Sequence, residues 1–205
     1  PPVVIVHGLL HRGIVMRTFA AALRRAGRKV YVYDYKTTRK PVEAHGVELA
    51  DFLMKLDCPK LDIVTHSMGG LLTRVALDRL ARQGRLDGIG RVVMLAPPHH
   101  GSEVASWWVS HFPPSRVLVR SLPDLADTPE AAVHRLPVPS GVEIGIIVGS
   151  RDSKVSESST RLGTECDRVV IDSAHAFMMN KPEAQRLILN FLDFGCFEPD
   201  KIGKK

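Results

Sequence analysis

Cysteine is scarce in this chain of 205 residues: Cys58, Cys166 and Cys196 are an odd number at wide spacing, with no C-x-x-C pair. That disfavours a zinc knuckle or a thioredoxin-type site. Reduced, inert thiols are the expectation, and a hidden disulfide is the alternative. No apolar run approaches the roughly 20 residues that a membrane-spanning helix needs. The basic leader of a signal peptide is missing as well, because the sequence opens on Pro1-Pro2 and enters an apolar run at once. That start says little about targeting; a cytoplasmic setting is the favoured expectation, with peripheral membrane contact as the second option. Internal repeats, heptads and low-complexity tracts are also lacking.

What is present is an ordinary globular mixture, 44% hydrophobic and 24% charged, long enough to bury a core without metal or disulfide staples. The net charge of +6 is regional. Residues 1–40 hold nine Lys/Arg against one Asp, while the other 165 residues carry 19 basic against 21 acidic side chains. Arg12, Arg17, Arg24, Arg25, Arg28, Lys29, Arg39 and Lys40 offer a face for an anionic membrane, or simply a solvated helix surface. No aromatic-interleaved basic motif accompanies them, so nucleic acid is not expected as a partner.

Short β-branched runs alternate with helical periodicity. Val3–Val6, Val30–Tyr33, Leu61–Thr65, Arg91–Ala96, Gly141–Val148 and Arg168–Ile171 read as strands. Helices are expected over 14–26, 41–56, 68–83 and 182–192, with Phe19, Leu23 and Ala26 on the buried face of the first and Gly27 as its stop. This alternation predicts an α/β fold with about six strands in a mostly parallel sheet and helices on both faces. The whole chain, 1–205, reads as one domain. A proline-rich stretch at about 97–140 interrupts the rhythm as a cap- or lid-like insertion.

Thr65-His66-Ser67-Met68-Gly69-Gly70 falls between a predicted strand and a predicted helix. A sharp turn there projects Ser67 above the carboxyl edge of the sheet, at a helix N-terminus that favours developing negative charge. The bland reading is a serine that only caps the helix. The segment resembles the nucleophile elbow of the α/β-hydrolase superfamily, in its bacterial lipase and esterase branch, with Thr65 where glycine is usual. Three further segments extend the resemblance over most of Val3–Leu192. His7-Gly8 after the first strand implies an oxyanion hole made by the backbone N–H groups of Leu9 and Met68. Asp152, in Gly149-Ser150-Arg151-Asp152, stands in the acid position, with Asp172 as its rival and an ion pair to Arg151 or Lys154 as its bland reading. His175, in Asp172-Ser173-Ala174-His175-Ala176-Phe177-Met178-Met179, stands where the base is expected.

The resemblance implies a carboxylic ester hydrolase, an esterase or lipase. Ser67 would be its nucleophile, His175 its base and Asp152 the orienting acid, with no metal or organic cofactor and a small-molecule or lipid ester as substrate. Trp107 and Trp108, in the insertion, are the candidate substrate-binding residues. His7 reads as a loop-orienting residue and His66 as a packing residue of the elbow. The competing readings are a catalytically silent hydrolase scaffold that binds an anionic membrane, and an acyltransferase using the same three side chains.

Overall fold

Four consecutive valine and isoleucine residues with no polar alternation require a strand covered on both faces, and Val3–Val6 is fully buried. The computed structural model describes residues 1–10 and 16–199. In it this run is β1 of a single sheet. The others are β2 (Val30–Tyr33), β3 (Leu61–His66), β4 (Ile89–Leu95), β5 (Glu143–Gly149) and β6 (Asp167–Ile171). Their spatial order is β2-β1-β3-β4-β5-β6, and every neighbouring pair is parallel.

Parallel pairing demands crossovers long enough for helices. The helices are α1 (Arg17–Arg25), α2 (Val42–Lys55), α3 (Met68–Arg82), α4 (Glu103–His111), α5 (Ser115–Leu118) and α6 (Pro182–Phe194). Successive strand residues point to opposite faces, and the two faces build two cores. Val4, Val6 and Ile63 pack with Leu49, Leu71 and Leu72 of α2 and α3. Val3, Ile5 and Val64 pack with Phe19 and Leu23 of α1 and Leu187 and Phe191 of α6.

The sheet and the order of its elements match the expectation, with differences at the ends. The first helix stops at Arg25, so Ala26 is exposed rather than buried, and its expected start at 14 lies outside the described residues. Gly27 follows at φ 82°, the left-handed geometry that ends a helix at low steric cost. The last helix runs two residues past Leu192, to Phe194, before Gly195 turns it off at φ 76°. Residues 97–140 carry α4, α5 and short 3-10 turns at Pro123–Leu125 and Ala132–Arg135. Leu122, Leu125 and Val133 from this stretch extend the α2/α3 core. Cys58, Cys166 and Cys196 are free thiols. Among the described residues no helix is long and apolar enough to cross a membrane.

One close approach fixes how α3 meets the sheet. A Cβ on Gly69 would lie 2.6 Å from the Val6 carbonyl oxygen, a backbone atom that has nowhere to go. Gly69→Ala is expected to destabilise the fold by about 2–3 kcal/mol, seen in calorimetry as a Tm lower by roughly 5–10 °C. Gly88→Ala, where a Cβ meets nothing within 4 Å, is the control expected to change little.

Candidate active site

β3 ends at His66 and α3 begins at Met68, so Ser67 alone makes the turn. Its backbone sits at φ 53° and ψ −126°, a conformation that costs a non-glycine residue about 1–3 kcal/mol and persists only where the surroundings hold it. Those surroundings are visible. The Ser67 N–H donates to the Leu95 carbonyl at 2.8 Å, and the Ser67 carbonyl accepts from the Gly70 N–H at 2.9 Å. Gly8 of the neighbouring loop comes so close that a Cβ there would lie 2.9 Å from the Ser67 Cβ. The Ser67 hydroxyl makes no capping bond to α3. Thr65, standing where glycine is usual, is a buried strand residue. Its hydroxyl lies 3.5 Å from the point where a Gly70 side chain would begin, and that glycine leaves it room.

β5 leads into the loop bearing Asp152, and β6 leads through residues 172–174 to His175, which opens a 3-10 turn to Asn180. Asp152 Oδ2 and His175 Nδ1 are 2.6 Å apart, and the two side chains are 1% and 8% exposed. Asp152 Oδ1 accepts from the Lys154 and Val155 N–H groups at 2.8 and 2.9 Å. Burial alone would push this carboxyl up, but the hydrogen bond and charge of His175, with the two backbone donors, hold it below the usual carboxylate range. The rival, Asp172, faces away from the histidine. It pairs with Arg151 at 2.6 Å on the surface, and the two side chains are 71% and 64% exposed.

Ser67 and His175 line one cavity of about 250 Å³, together with Gly8, Leu9, Val104 and Trp108. Met68 is the first residue of α3, so its N–H belongs to the turn that has no acceptor within the helix. Trp108 faces this cavity, but Trp107 does not. Neighbouring helix residues point about 100° apart, and Trp107 is 53% exposed, with its ring stacked on His111 at 4.8 Å.

Two further histidines act on the geometry, His7 from behind the Gly8 loop and His66 from the cavity lining itself. His7 is buried and stacked on Tyr35 at 4.4 Å, with its Nε2 3.1 Å from Asp34 and its carbonyl accepting the Tyr35 hydroxyl at 2.7 Å. It thus orients the loop that carries Gly8 and Leu9, as the sequence suggests. His66 does more than pack. Its Nε2–H donates to the His175 carbonyl at 2.9 Å, and the two rings lie 4.7 Å apart. This contact spans 109 positions in sequence, and no local pattern announces it.

Burial keeps His7, His45 and His99 below the ordinary histidine value of 6.5, His99 furthest because the charges of Arg74, His100 and Arg168 add to its burial. Neither ring nitrogen of His99 has a hydrogen-bond partner among the described residues. A depressed folded value means that protonation favours the unfolded chain. This contribution is therefore complete above pH 6.5 and is lost as pH falls below it. Calorimetry across pH is expected to show Tm falling from about pH 6.5 downward. His99 alone contributes up to about 1.4 kcal/mol per pH unit, and His99→Gln flattens that slope.

Solved structures with the same arrangement of elements are numerous, and all those named here are remote in sequence. The mature form of the lipase BlEst2 from Bacillus licheniformis aligns with a TM-score of 0.71 at 18% identity, over 96% of this chain and 92% of that one. Of its propeptide form, this chain covers 47%. A carboxylesterase of the ammonia-oxidizing thaumarchaeon Nitrososphaera gargenis aligns at 0.64 with 14% identity, over 94% and 89% of the two chains. YbtT, a type II thioesterase of the yersiniabactin pathway, aligns at 0.69 with 15% identity, over 93% and 91%. These likenesses establish the α/β-hydrolase fold. No curated protein matches the sequence. One family model matches residues 4–111, from β1 to the end of α4, which takes in the Gly8 loop and the Ser67 turn and leaves out Asp152 and His175. That match spans more than half of the sequence, and the chain belongs to the family described as Domain of unknown function (DUF7379).

Proposed function

We propose that the protein is a serine hydrolase that cleaves carboxylic esters through an acyl-enzyme on Ser67. The observation that carries this reading is the buried 2.6 Å contact of Asp152 with His175, beside a cavity that His175 shares with a strained, uncapped Ser67. A serine hydroxyl is barely nucleophilic at neutral pH and needs an adjacent base. With Nδ1–H donated to the ionised Asp152, the imidazole is left with a free lone pair on Nε2 to take the hydroxyl proton. Ser67 Oγ then bonds to the ester carbonyl carbon, whose oxygen takes the negative charge under the Leu9 and Met68 N–H groups. Collapse breaks the bond to the alcohol, which leaves with the proton from His175. Water repeats the sequence on the acyl-enzyme, releases the acid and restores Ser67. The Leu9, Val104 and Trp108 side chains favour an aliphatic or aromatic acyl group.

The test is a p-nitrophenyl ester series from acetate to palmitate, run beside labelling with a fluorophosphonate probe. Turnover of at least one ester and a single label mapped to Ser67 are expected. No cleavage across the series, or a label on another serine, overturns the proposal.

A further inference from the structure

We infer that the rim of this site is a docking surface for an anionic phospholipid bilayer. The inference deepens the ester-hydrolase reading, because it supplies the surface from which substrate reaches the cavity. Eleven large apolar side chains are exposed among the described residues. Six of them, Val104, Trp107, Trp108, Phe112, Val117 and Leu118, fall within residues 103–118, and Leu10, at 70% exposed, is another. Val104, Trp108 and Leu10 also line the cavity, so the apolar surface is continuous with the site.

Basic charge adjoins this surface through two hydrogen bonds. Leu10 N–H donates to the Thr37 hydroxyl at 3.1 Å, and the Thr38 carbonyl accepts from the Arg120 N–H at 2.9 Å. The loop carrying Lys36 and Arg39 is thereby fixed between Leu10 and the end of α5, where Arg116 and Arg120 stand exposed. Asp34, Glu103, Asp124 and Asp127 are the acidic side chains of these segments, Asp127 bonded to Ser106 of α4, and against them stand Lys36, Arg39, Arg116, Arg120 and the cavity-lining Lys154, which leaves the rim a small positive excess. Leu10 follows β1, Lys36 and Arg39 follow β2, and 103–118 follows β4, so all lie at the carboxyl edge of the sheet, as Ser67 does.

The structure thus divides the basic N-terminal third. Arg24, Arg25, Arg28 and Lys29 precede β2, at the opposite edge, and Arg28 pairs with Asp62 at 3.8 Å and with Asp193. Arg12 lies outside the described residues. Exposed tryptophans suit a lipid–water boundary, where the ring is buried and the N–H stays wet. Lysine and arginine beside them complement anionic headgroups while their stems cover apolar surface.

Trp107 and Trp108 are the only tryptophans of the chain, so tryptophan emission, excited selectively over the three tyrosines, reads this surface alone. The experiment uses the full chain with Ser67→Ala, to prevent lipid turnover. It is mixed with vesicles of phosphatidylcholine alone, or with phosphatidylglycerol added, and with brominated acyl chains as quencher. Expected are a blue shift and quenching with the anionic vesicles only, weakened at about 0.5 M salt. Lys36→Ala with Arg39→Ala should weaken vesicle binding by about 30-fold. Leu118→Asp should weaken it too, while p-nitrophenyl butyrate turnover in the otherwise wild-type chain stays within about twofold. Equal binding to both vesicle types, no emission change with either, or a lipid-independent shift that follows protein concentration overturns the inference. Vesicle binding without ester turnover supports the docking surface and overturns the hydrolase reading alone.

Discussion

Ser67→Ala is expected to lower kcat for a p-nitrophenyl ester by about 10⁶-fold, with Tm nearly unchanged. The hydroxyl makes no cap to α3, so its removal leaves the backbone pattern intact: the Leu95 carbonyl still accepts from position 67 and Gly70 still donates to it. Alanine retains a Cβ, so the unusual φ of 53° is preserved along with its strain. His175→Ala should cost nearly as much, and the double variant no more than either, because on the proposed reading the two would act as one unit. On the proposed reading, the rate that remains would come from binding and the Leu9 and Met68 N–H groups. Steady-state kinetics on the four proteins decides the matter. Additive losses, or a Ser67→Ala enzyme within tenfold of wild type, would place the chemistry elsewhere.

Asp152→Asn should reduce kcat by about 10⁴-fold, and the reason is specific to this loop. The Lys154 and Val155 N–H groups both point at Oδ1. An asparagine keeps its carbonyl oxygen there and turns its NH₂ toward His175 Nδ1. The imidazole must then accept at Nδ1 and carry its proton on Nε2, where it no longer takes one from Ser67. Asp172→Asn, by contrast, breaks an exposed pair with Arg151 and is expected to leave kcat within about twofold. A pH–rate profile and kcat for both variants separates the two aspartates. A large loss in Asp172→Asn with little in Asp152→Asn would reverse their roles.

Much of the architecture is legible in the sequence because central strands such as β1 and β3 are short runs rich in β-branched residues and buried on both faces, and the first and last helices close on Gly27 and Gly195. The Ser67 turn is legible for the same reason, since a strand, one serine and a helix follow without a gap. The acid is harder to place. Asp152 and Asp172 are both loop aspartates after a strand, and only the paths of β5 and β6 bring one carboxylate beneath the imidazole while leaving the other at the surface with Arg151. Trp107 and Trp108 are alike in sequence as well, and the helical rotation between them sends one to the cavity and the other to His111. The basic excess before residue 41 reads as a single patch in one dimension. In three it is cut by β2, because residues on either side of a strand emerge at opposite edges of the sheet. His66 is least legible of all, since its partner lies 109 positions away.

The hydrogen bond from His66 to the His175 carbonyl couples two parts of the machine that sequence keeps apart. His66 is the last residue of a central strand, paired on its β4 side with Leu95 and adjoining Ser67 by a single peptide bond. The loop bearing His175 is thereby tied to a central strand of the sheet rather than to its periphery. A loop held only at its ends swings about them; one pinned at its functional residue transmits the sheet's own positional precision to the imidazole. On the proposed reading, the spacing between Ser67 and His175 is then set by a strand rather than by the surface segments on either side.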